Sequence, residues 1–258
     1  MANLWTISLD DSGDEHKAVF IIAGCLVGNK VEWSEFNKAW RKELHQFPRI
    51  KHFHQKEYAS RNGEFHQFFD KLKWPEPTGK KAAKDKRDAL LSVIARSRLS
   101  CYALALRVPD YVRVRNESKK AEQFLHEDPW SYLVQELAFD TATSIVDFDP
   151  KASIAFVAGP HQREAQYTEF YEGFKKKNPN IAEHMLGLMH GNFRKLYSLQ
   201  AADLIASESK KCWEAAERKE SPEDVFSKHP ILARFVGFKT IHEERLRGVI
   251  EVQKQQLT

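Results

Sequence analysis

The opening of the chain constrains its fold most, because two β-prone runs flank a strong turn signal. Residues 4–10 alternate apolar and mostly polar side chains, which is the two-residue period of a strand with one buried face. The segment Asp11-Ser12-Gly13-Asp14 follows and is typical of a turn. Residues 18–27 form a second apolar run, rich in Val, Ile and Phe. The pattern predicts an antiparallel β-hairpin that opens the domain.

The chain after this hairpin contains further helical and extended patterns. A helix that begins near residue 129 is indicated by Asp128 as its cap and by Pro129 at its first position. In this order the segments predict an α/β fold, with a mixed central β-sheet flanked by helices. The other strand candidates are residues 100–108, 152–157 and 184–190, and the helix candidates are about 31–47, 129–147, 160–177 and 196–218.

A segment of about 48–98 interrupts the alternation and is predicted to be a helical insertion. Helical spacing is clearest over residues 85–98. We expect residues 1–218 to form one α/β domain that carries this insertion. We expect residues 219–258 to form a helical extension that packs on the domain or trails from it.

Composition limits the class of protein. Hydrophobic residues make up 42% of the chain, which is enough for a packed core, and charged residues make up 29%. The longest uncharged stretch near the N-terminus, residues 18–29, is shorter than the ~20 apolar residues that span a bilayer. No secretory signal is recognisable, and three scattered cysteines argue against a disulfide framework. We expect a cytoplasmic protein with reduced thiols and no membrane partner.

Several catalytic motifs are absent from the sequence. Neither Gly-x-x-x-x-Gly-Lys-Ser/Thr nor Gly-x-Gly-x-x-Gly occurs, so folds that cradle nucleotide phosphates lack support. Gly-x-Ser-x-Gly is also absent, which argues against a nucleophile-elbow hydrolase. A phosphatase of the haloacid dehalogenase type would need a second Asp two residues after Asp10, where Ser12 stands.

Two acidic residues stand where a ligand could bind. Asp10 ends the first predicted strand, and a carboxylate there can project into the crevice beside the sheet; the alternative is an ordinary hairpin turn. Asp203 borders the apolar stripe of the last predicted helix, at the seam between helix and sheet, where it would need a partner or a metal. The alternative is a side chain that points to solvent or pairs with Lys210.

Two further segments carry candidate polar groups. His52 and His54 would share one face of an extended segment, so they could bind zinc; such a pair is also ordinary polar surface. Gly159-Pro160-His161-Gln162-Arg163-Glu164 follows the fourth predicted strand. It is either a second candidate site or a loop that leads into a helix.

Taken together, these segments resemble a known family. Leu9-Asp10-Asp11-Ser12-Gly13-Asp14 is similar to the Asp-Glu-Ser-Gly opening of the domain of unknown function 3800 family, and Phe20-Ile21-Ile22-Ala23-Gly24 is similar to its apolar-Gly continuation. Phe53-His54 resembles its central histidine motif. Residues 198–206, Ser-Leu-Gln-Ala-Ala-Asp-Leu-Ile-Ala, resemble its C-terminal Leu-Gln-x-Ala-Asp signature. The resemblance covers about residues 4–215.

The family is regarded as RNase H-like. The resemblance therefore implies a mixed sheet with one metal-binding acid, Asp10, on the first strand and another, Asp203, on the C-terminal helix. RNase H-like nucleases usually carry a further acid near the end of the fourth strand, whereas this strand ends Phe156-Val157-Ala158-Gly159. Candidate replacements for that acid are Glu57, Asp14 and Glu164. Asp11 stands where the family usually has Glu.

The leading hypothesis from these residues is a metal-dependent nuclease that hydrolyses phosphodiester bonds of DNA or RNA. Asp10 and Asp203, with Asp11 and Glu57 as further candidate ligands, would bind Mg²⁺ or Mn²⁺, which prefer oxygen ligands. His54 would orient water, contact phosphate or protonate the leaving group. Residues 71–87 contain seven basic and two acidic residues and would bind the phosphate backbone, unless they form a solvated linker. The seven basic residues are Lys71, Lys73, Lys80, Lys81, Lys84, Lys86 and Arg87.

Two alternatives stay open at this point. One is a catalytically degenerate RNase H-like module that has lost an acid and now binds nucleic acid or a protein partner. The other is a nuclease that is silent until a partner or trigger arrives, in a defence-related or toxin-like role. The second alternative follows from the resemblance alone. The net charge of +4 permits a nucleic-acid partner without requiring one.

Overall fold

The centre of the molecule is a six-stranded sheet with the strand order β5-β4-β1-β2-β3-β6. The computed structural model describes residues 3–12, 20–70, 73–75, 77–125, 128–159, 164–217, 235–241 and 243–247. The strands are β1 (Leu4–Ser12), β2 (Phe20–Asn29), β3 (Ser100–Arg107), β4 (Ser153–Ala158), β5 (Met185–His190) and β6 (Phe235–Ile241).

The strand directions make the sheet mixed. β1 and β2 form the predicted antiparallel hairpin, and β3 is antiparallel to β2. β4 runs parallel to β1, β5 runs parallel to β4, and β6 runs parallel to β3. The predicted α/β class is therefore confirmed. The carboxyl ends of β1, β4 and β5 lie at one edge of the sheet, which is the edge where α/β proteins commonly bind ligands.

Helices cover both faces of the sheet. Successive side chains of β1 and β2 point to opposite faces of the sheet, so the core has two parts. Ile7 and Leu9 belong to one part, and Leu26 belongs to the other. The helices are α1 (Lys30–His45), α2 (Gln55–Ser60), α3 (Thr78–Arg96), α4 (Val108–Asn116), α5 (Lys119–Phe124), α6 (Pro129–Phe148), α7 (Glu164–Lys177), α8 (Pro179–Ala182) and α9 (Tyr197–Glu217), with a 3₁₀ helix over Gly63–Phe69.

Local capping explains where two long helices begin. The Asn29 side chain accepts hydrogen bonds from the first turn of α1, and Glu32 accepts one in return from the Asn29 backbone N–H, which forms a capping box. Asp128 accepts hydrogen bonds from the backbone N–H groups of Trp130 and Ser131 at the start of α6, and Pro129 occupies the first helical position. The predicted start of α6 is thus confirmed.

The predicted insertion is helical and belongs to the core. Its elements are α2, the 3₁₀ helix and α3, which begins at Thr78 rather than at residue 85. Phe65, Phe68 and Leu90 of the insertion are fully buried in one cluster with α1 and α9. The insertion therefore completes the helical layer on that face of the sheet, and it carries residues 52–57 against α9.

The expected helical C-terminal extension is wrong over its middle part. Residues 235–241 form β6, which pairs in parallel with β3, and residues 243–247 are helical. Residues 219–234 and 248–258 of this extension lie outside the described residues. The physical reason is tertiary: β3 offers an open sheet edge, and an apolar segment distant in the chain pairs with it. The structure also adds α4 and α5, for which the sequence showed no clear pattern, and the short helix α8 between α7 and β5.

All three cysteines, Cys25, Cys101 and Cys212, are free and buried. This agrees with the expectation of reduced thiols. Among the described residues, none of the helices combines the length and the apolar character needed to cross a membrane.

Candidate functional site

Helix α9 packs closely against the sheet beside Asp10. Asp10 stands opposite Gly24 in the β1–β2 register, and directly opposite residues of antiparallel strands project to the same face. A Cβ atom at Gly24 would lie 2.9 Å from the backbone nitrogen of Ala206 on α9, so a side chain has no room there. Asp203 precedes Ala206 by about one helical turn. Two acids that are distant in sequence therefore lie on facing surfaces of β1 and α9, and both are partly exposed.

Asp203 is anchored to the start of α2. Its Oδ2 atom accepts a 2.7 Å hydrogen bond from the backbone N–H of Gln55, the first residue of that helix. The bond satisfies one of the backbone donors that a helix N-terminus leaves open, and the carboxylate charge strengthens it. The alternative of a pair with Lys210 is not observed, because Lys210 lies 3.9 Å from Glu214.

Gln200 fixes the same arrangement from within the core. Its fully buried Oε1 atom accepts hydrogen bonds of 3.0 Å from the indole N–H of Trp40 and from the backbone N–H of Phe53. Its Nε2 atom donates to the backbone oxygen of Phe193 at 2.8 Å. One amide thus joins α9 to α1, to the insertion and to the loop after β5. In the sequence, Gln200 was noted only as part of the Leu-Gln-x-Ala-Asp pattern. An amide side chain on an apolar helix face could have indicated its buried role.

His52, His54 and Glu57 form a cluster on the insertion. The His52 Nε2 atom lies 3.4 Å from Glu57, and His54 Nδ1 lies 3.9 Å from it. Glu57 also accepts a 3.0 Å hydrogen bond from the backbone N–H of Glu64. Burial acts to raise the pKa of Glu57, but these hydrogen bonds and the two histidines outweigh burial, so the pKa is lowered. Glu57 is therefore an ionised group held by its own neighbours.

His54 lies beside Asp203 through the adjacent residue Gln55, and its ring is half-buried. Burial lowers the pKa of His54 below its ordinary value, against the attraction of Glu57. The nearby charges of Lys56 and Arg194 lower it further. His54 is consequently a neutral imidazole at neutral pH, able to accept one hydrogen bond and donate another.

An aromatic residue that the sequence interpretation missed completes the site. Phe193 lies in the loop after β5, and its ring centroid is 4.4 Å from that of His54, with the planes inclined by 32°. The His52 ring meets the same phenyl ring edge-on at 5.6 Å. The guanidinium of Arg194 lies 5.7 Å from the Phe193 centroid. No motif marks this loop, since its position depends on where β5 ends.

The end of β4 contributes no carboxylate within the described residues. The β1–β4 register pairs Leu9 with Ala158, so Gly159 is level with Asp10, at the position where the resemblance implied a further acid. Of the candidate replacements, Asp14 lies outside the described residues, as does the side chain of Glu164. The side chain of Asp11 also lies outside them, although its backbone belongs to β1.

The described residues provide few candidate metal ligands. They contain no group of three or more His, Cys, Asp or Glu side chains arranged to hold a metal ion. This applies to the His52–His54 pair, which was considered for zinc. Mg²⁺, however, is commonly held by one or two carboxylates together with waters and substrate phosphate. Asp10 and Asp203 are two such carboxylates, whereas the Glu57 carboxylate is engaged by His52, His54 and the Glu64 N–H.

The basic segment of the insertion is largely neutralised. Lys81 and Lys84 pair with Asp85 and Asp88 within α3. Lys73 lies 3.7 Å from Asp70, Lys80 is exposed, and Lys71 lies outside the described residues.

Two members of that segment are internal. Lys86 is 3% exposed and donates to the backbone oxygens of Glu43 and Gln46. Arg87 is 7% exposed and pairs with Glu208. The prediction that these two residues contact nucleic acid is wrong, because burial and internal pairing keep them from a phosphate backbone.

Comparison with known proteins adds no assignment. No protein-family model matches the chain, and no curated protein matches it. The interpretation of the site therefore depends on the residues and their geometry.

Proposed function

We propose that this protein is a divalent-metal-dependent nuclease of the RNase H-like type, which hydrolyses phosphodiester bonds of nucleic acid. One relationship carries the proposal: Asp10 lies opposite Gly24, and Gly24 packs against α9 one helical turn after Asp203. Asp203 is in turn bonded to Gln55, the neighbour of His54. A mixed sheet with one acid on its first strand and another on its C-terminal helix is what the motif resemblance implied. Because a fold alone does not determine an activity, the site residues must carry the chemistry.

The residues of the chain have separate roles in this proposal. Asp10 and Asp203 would hold one Mg²⁺ or Mn²⁺, which supplies Lewis-acid activation of water and of the phosphate when bound. Gln55 orients Asp203 through its backbone N–H. His54, neutral because its pKa is lowered, accepts a proton from water or donates its N–H to a phosphate oxygen.

A cleavage assay tests the proposal. Wild-type protein is incubated with labelled single-stranded DNA, duplex DNA and RNA, each with Mg²⁺, with Mn²⁺ and with EDTA. We expect cleavage that requires the metal and that Asp10→Asn and Asp203→Asn each reduce by at least about 100-fold. A matched control is Asp149→Asn, since Asp149 is also hydrogen-bonded, to Asn3 and Trp5, but lies at the opposite edge of the sheet. Cleavage by the Asp203→Asn variant at the wild-type rate would refute the proposal.

One observation favours a second candidate, a non-catalytic module that binds nucleic acid. The residue level with Asp10 at the end of β4 is Gly159, and the described residues offer two facing carboxylates rather than three. Two carboxylates suffice for one metal ion, whereas a two-ion mechanism normally uses more. If wild-type protein binds nucleic acid and neither metal produces cleavage of any substrate, the binding module replaces the nuclease.

A further inference from the structure

The loop after β5 is held rigidly next to the proposed catalytic residues. The Gly191 N–H donates to the Ala158 oxygen at 2.9 Å, at the end of β4. The Asn192 side chain accepts from the Arg194 N–H at 2.9 Å, and the Asn192 backbone oxygen accepts from Lys195 and Leu196. Together with the bond from Gln200 to the Phe193 oxygen, these contacts position the backbone at Phe193, and the His52 and His54 rings pack against its phenyl ring. A fixed aromatic ring loses little entropy when a ligand stacks on it.

Exposed cations occur on both chain segments that meet at this ring. Lys51, Lys56, Arg194 and Lys195 are exposed, and none of them forms an ion pair in the part of the chain that the structure describes. Lys56 follows His54 by two residues, and the Arg194 guanidinium lies over the Phe193 ring, 5.7 Å from its centroid. The segment 71–87, by contrast, neutralises or buries most of its described cations. The exposed cations near His54 and Phe193 in the chain therefore belong to residues 51–56 and to the loop after β5.

The chemistry of this surface matches an unpaired nucleotide. Aromatic side chains stack on bases, worth about 1–3 kcal/mol per base, and Arg and Lys neutralise phosphates. Bases within a duplex are stacked on one another, so a single ring at the surface reaches a base only where the strand is unpaired. We propose that Phe193 stacks on a base of single-stranded DNA or RNA while Arg194 and Lys56 bind its backbone. This inference rests on the proposed function and names the substrate class of the same site.

Binding measured without cleavage tests the inference. Fluorescence anisotropy in EDTA compares a labelled 20-nucleotide oligo(dT), the matching oligo(U) and a 20-base-pair duplex. We expect both single strands, or one of them, to bind more tightly than the duplex. Phe193→Leu keeps an apolar side chain but removes the aromatic face, and we expect about tenfold weaker binding of the single strand. Arg194→Ala should weaken binding and reduce the slope of log K against log[salt] by about 0.7.

Matched controls separate stacking from general effects. Phe47 is an exposed aromatic residue, 86% accessible, that stacks on Trp74 away from the acids, and Phe47→Leu should bind like wild type. Lys151 is an exposed cation of the turn before β4, at the opposite edge of the sheet from the acids, and Lys151→Ala should leave the salt slope unchanged. Urea denaturation of every variant verifies folding, and Phe193→Trp, which retains an aromatic face, should restore binding.

Each outcome decides between the two proposals. Wild-type affinity for single strands in Phe193→Leu, or equal affinity of wild type for the duplex, would overturn the inference even if the protein cleaves nucleic acid. Loss of single-strand affinity in Phe193→Leu but not in Phe47→Leu supports it, including in the case where no metal produces cleavage. In that last case the nuclease proposal fails while the single-strand site stands.

Discussion

Asp203 on α9 and Gln55 at the start of α2 are joined by a 2.7 Å hydrogen bond from the Gln55 backbone N–H to the Asp203 Oδ2 atom. The bond links the C-terminal helix to the helical insertion, and the adjacent residue His54 is positioned by the same contact. Asp203 therefore has a structural role, and a test of its chemical role must distinguish the two. Substitution of Asp203 by Asn, which keeps a side-chain oxygen, and by Ala, which does not, makes this distinction possible.

We expect Asp203→Asn and Asp203→Ala to differ in stability but not in activity. The asparagine oxygen still accepts the Gln55 N–H, so its cost should stay below about 1 kcal/mol, whereas alanine leaves that donor unpaired and should cost about 1–2 kcal/mol. Urea denaturation followed by circular dichroism gives both free energies of unfolding. Both variants should lose metal-dependent cleavage. Equal destabilisation by the two variants would show that the Gln55 bond contributes nothing.

Gly24→Ala should separate α9 from the sheet. The new methyl group would lie 2.9 Å from the Ala206 backbone nitrogen and 3.1 Å from its Cα, and backbone cannot move aside cheaply. We expect a cost of about 1–3 kcal/mol and a loss of cleavage at temperatures where the variant is still folded, because Asp203 moves relative to Asp10. Gly187→Ala on β5 is the control, since nothing lies within 4 Å of its added Cβ. An active, fully stable Gly24→Ala would contradict the close packing.

Gln200→Leu should be among the most damaging single substitutions in α9. It leaves the buried N–H groups of Trp40 and Phe53 without their acceptor, and each unsatisfied buried donor costs about 1–3 kcal/mol. We expect a loss of roughly 3 kcal/mol of unfolding free energy. Gln67→Leu removes an amide whose bonds to Arg49 and Glu64 are near the surface, and should cost less than about 1 kcal/mol. Similar costs for the two variants would argue against a central role of Gln200.

The Arg87–Glu208 pair predicts a specific dependence of stability on pH. Burial acts to raise the pKa of Glu208, but the Arg87 hydrogen bond and charge and the Lys211 charge outweigh burial, so the pKa is lowered. A lowered pKa stabilises the fold fully above the unfolded value of about 4.3, and this contribution is lost as the pH falls through the folded value.

Glu208→Gln should therefore cost most near neutral pH, about 3 kcal/mol if Arg87 loses its buried counter-charge. The difference between wild type and variant should shrink as the pH falls below about 4. Urea denaturation at a series of pH values measures it. A difference that is constant from pH 7 to pH 3 would contradict an ionised Glu208 in the native state.

The three thiols should be unreactive in the native protein. Burial raises the pKa of Cys25 to about 12 and that of Cys212 to about 12, and Cys101 is 3% exposed. Since the thiolate is the reactive form, a chromogenic disulfide reagent at pH 8 should label none of them before urea unfolds the chain, and all three afterwards. Rapid labelling of one thiol in the native state would show that its surroundings are open.

Much of the architecture could be predicted from local patterns. The β1–β2 hairpin, α1 and α6 follow from a two-residue period, a 3.6-residue period and side-chain caps, which act over a few residues. The predicted apolar face of α1, Trp33, Phe36, Trp40 and Leu44, is buried as expected. β6 could not be predicted in the same way, because its pairing partner β3 lies more than a hundred residues earlier and provides an edge only after the sheet has formed.

The candidate site also combines residues that local sequence could identify with residues that it could not. Asp10, His54 and Asp203 could be selected by residue type, position and motif, since a strand end and a helix border are local properties. Gln200 and Phe193 acquire their roles through contacts with Phe53 and His54, which belong to distant segments. For the basic segment 71–87, the sequence gives the number of charges but not their surroundings. In the folded structure Lys84 is paired with Asp88, and Lys86 and Arg87 are buried. Local periodicity and capping thus determined elements such as β1, β2, α1 and α6 by themselves. Long-range pairing and burial, which depend on which surfaces meet, decided how those elements form a site.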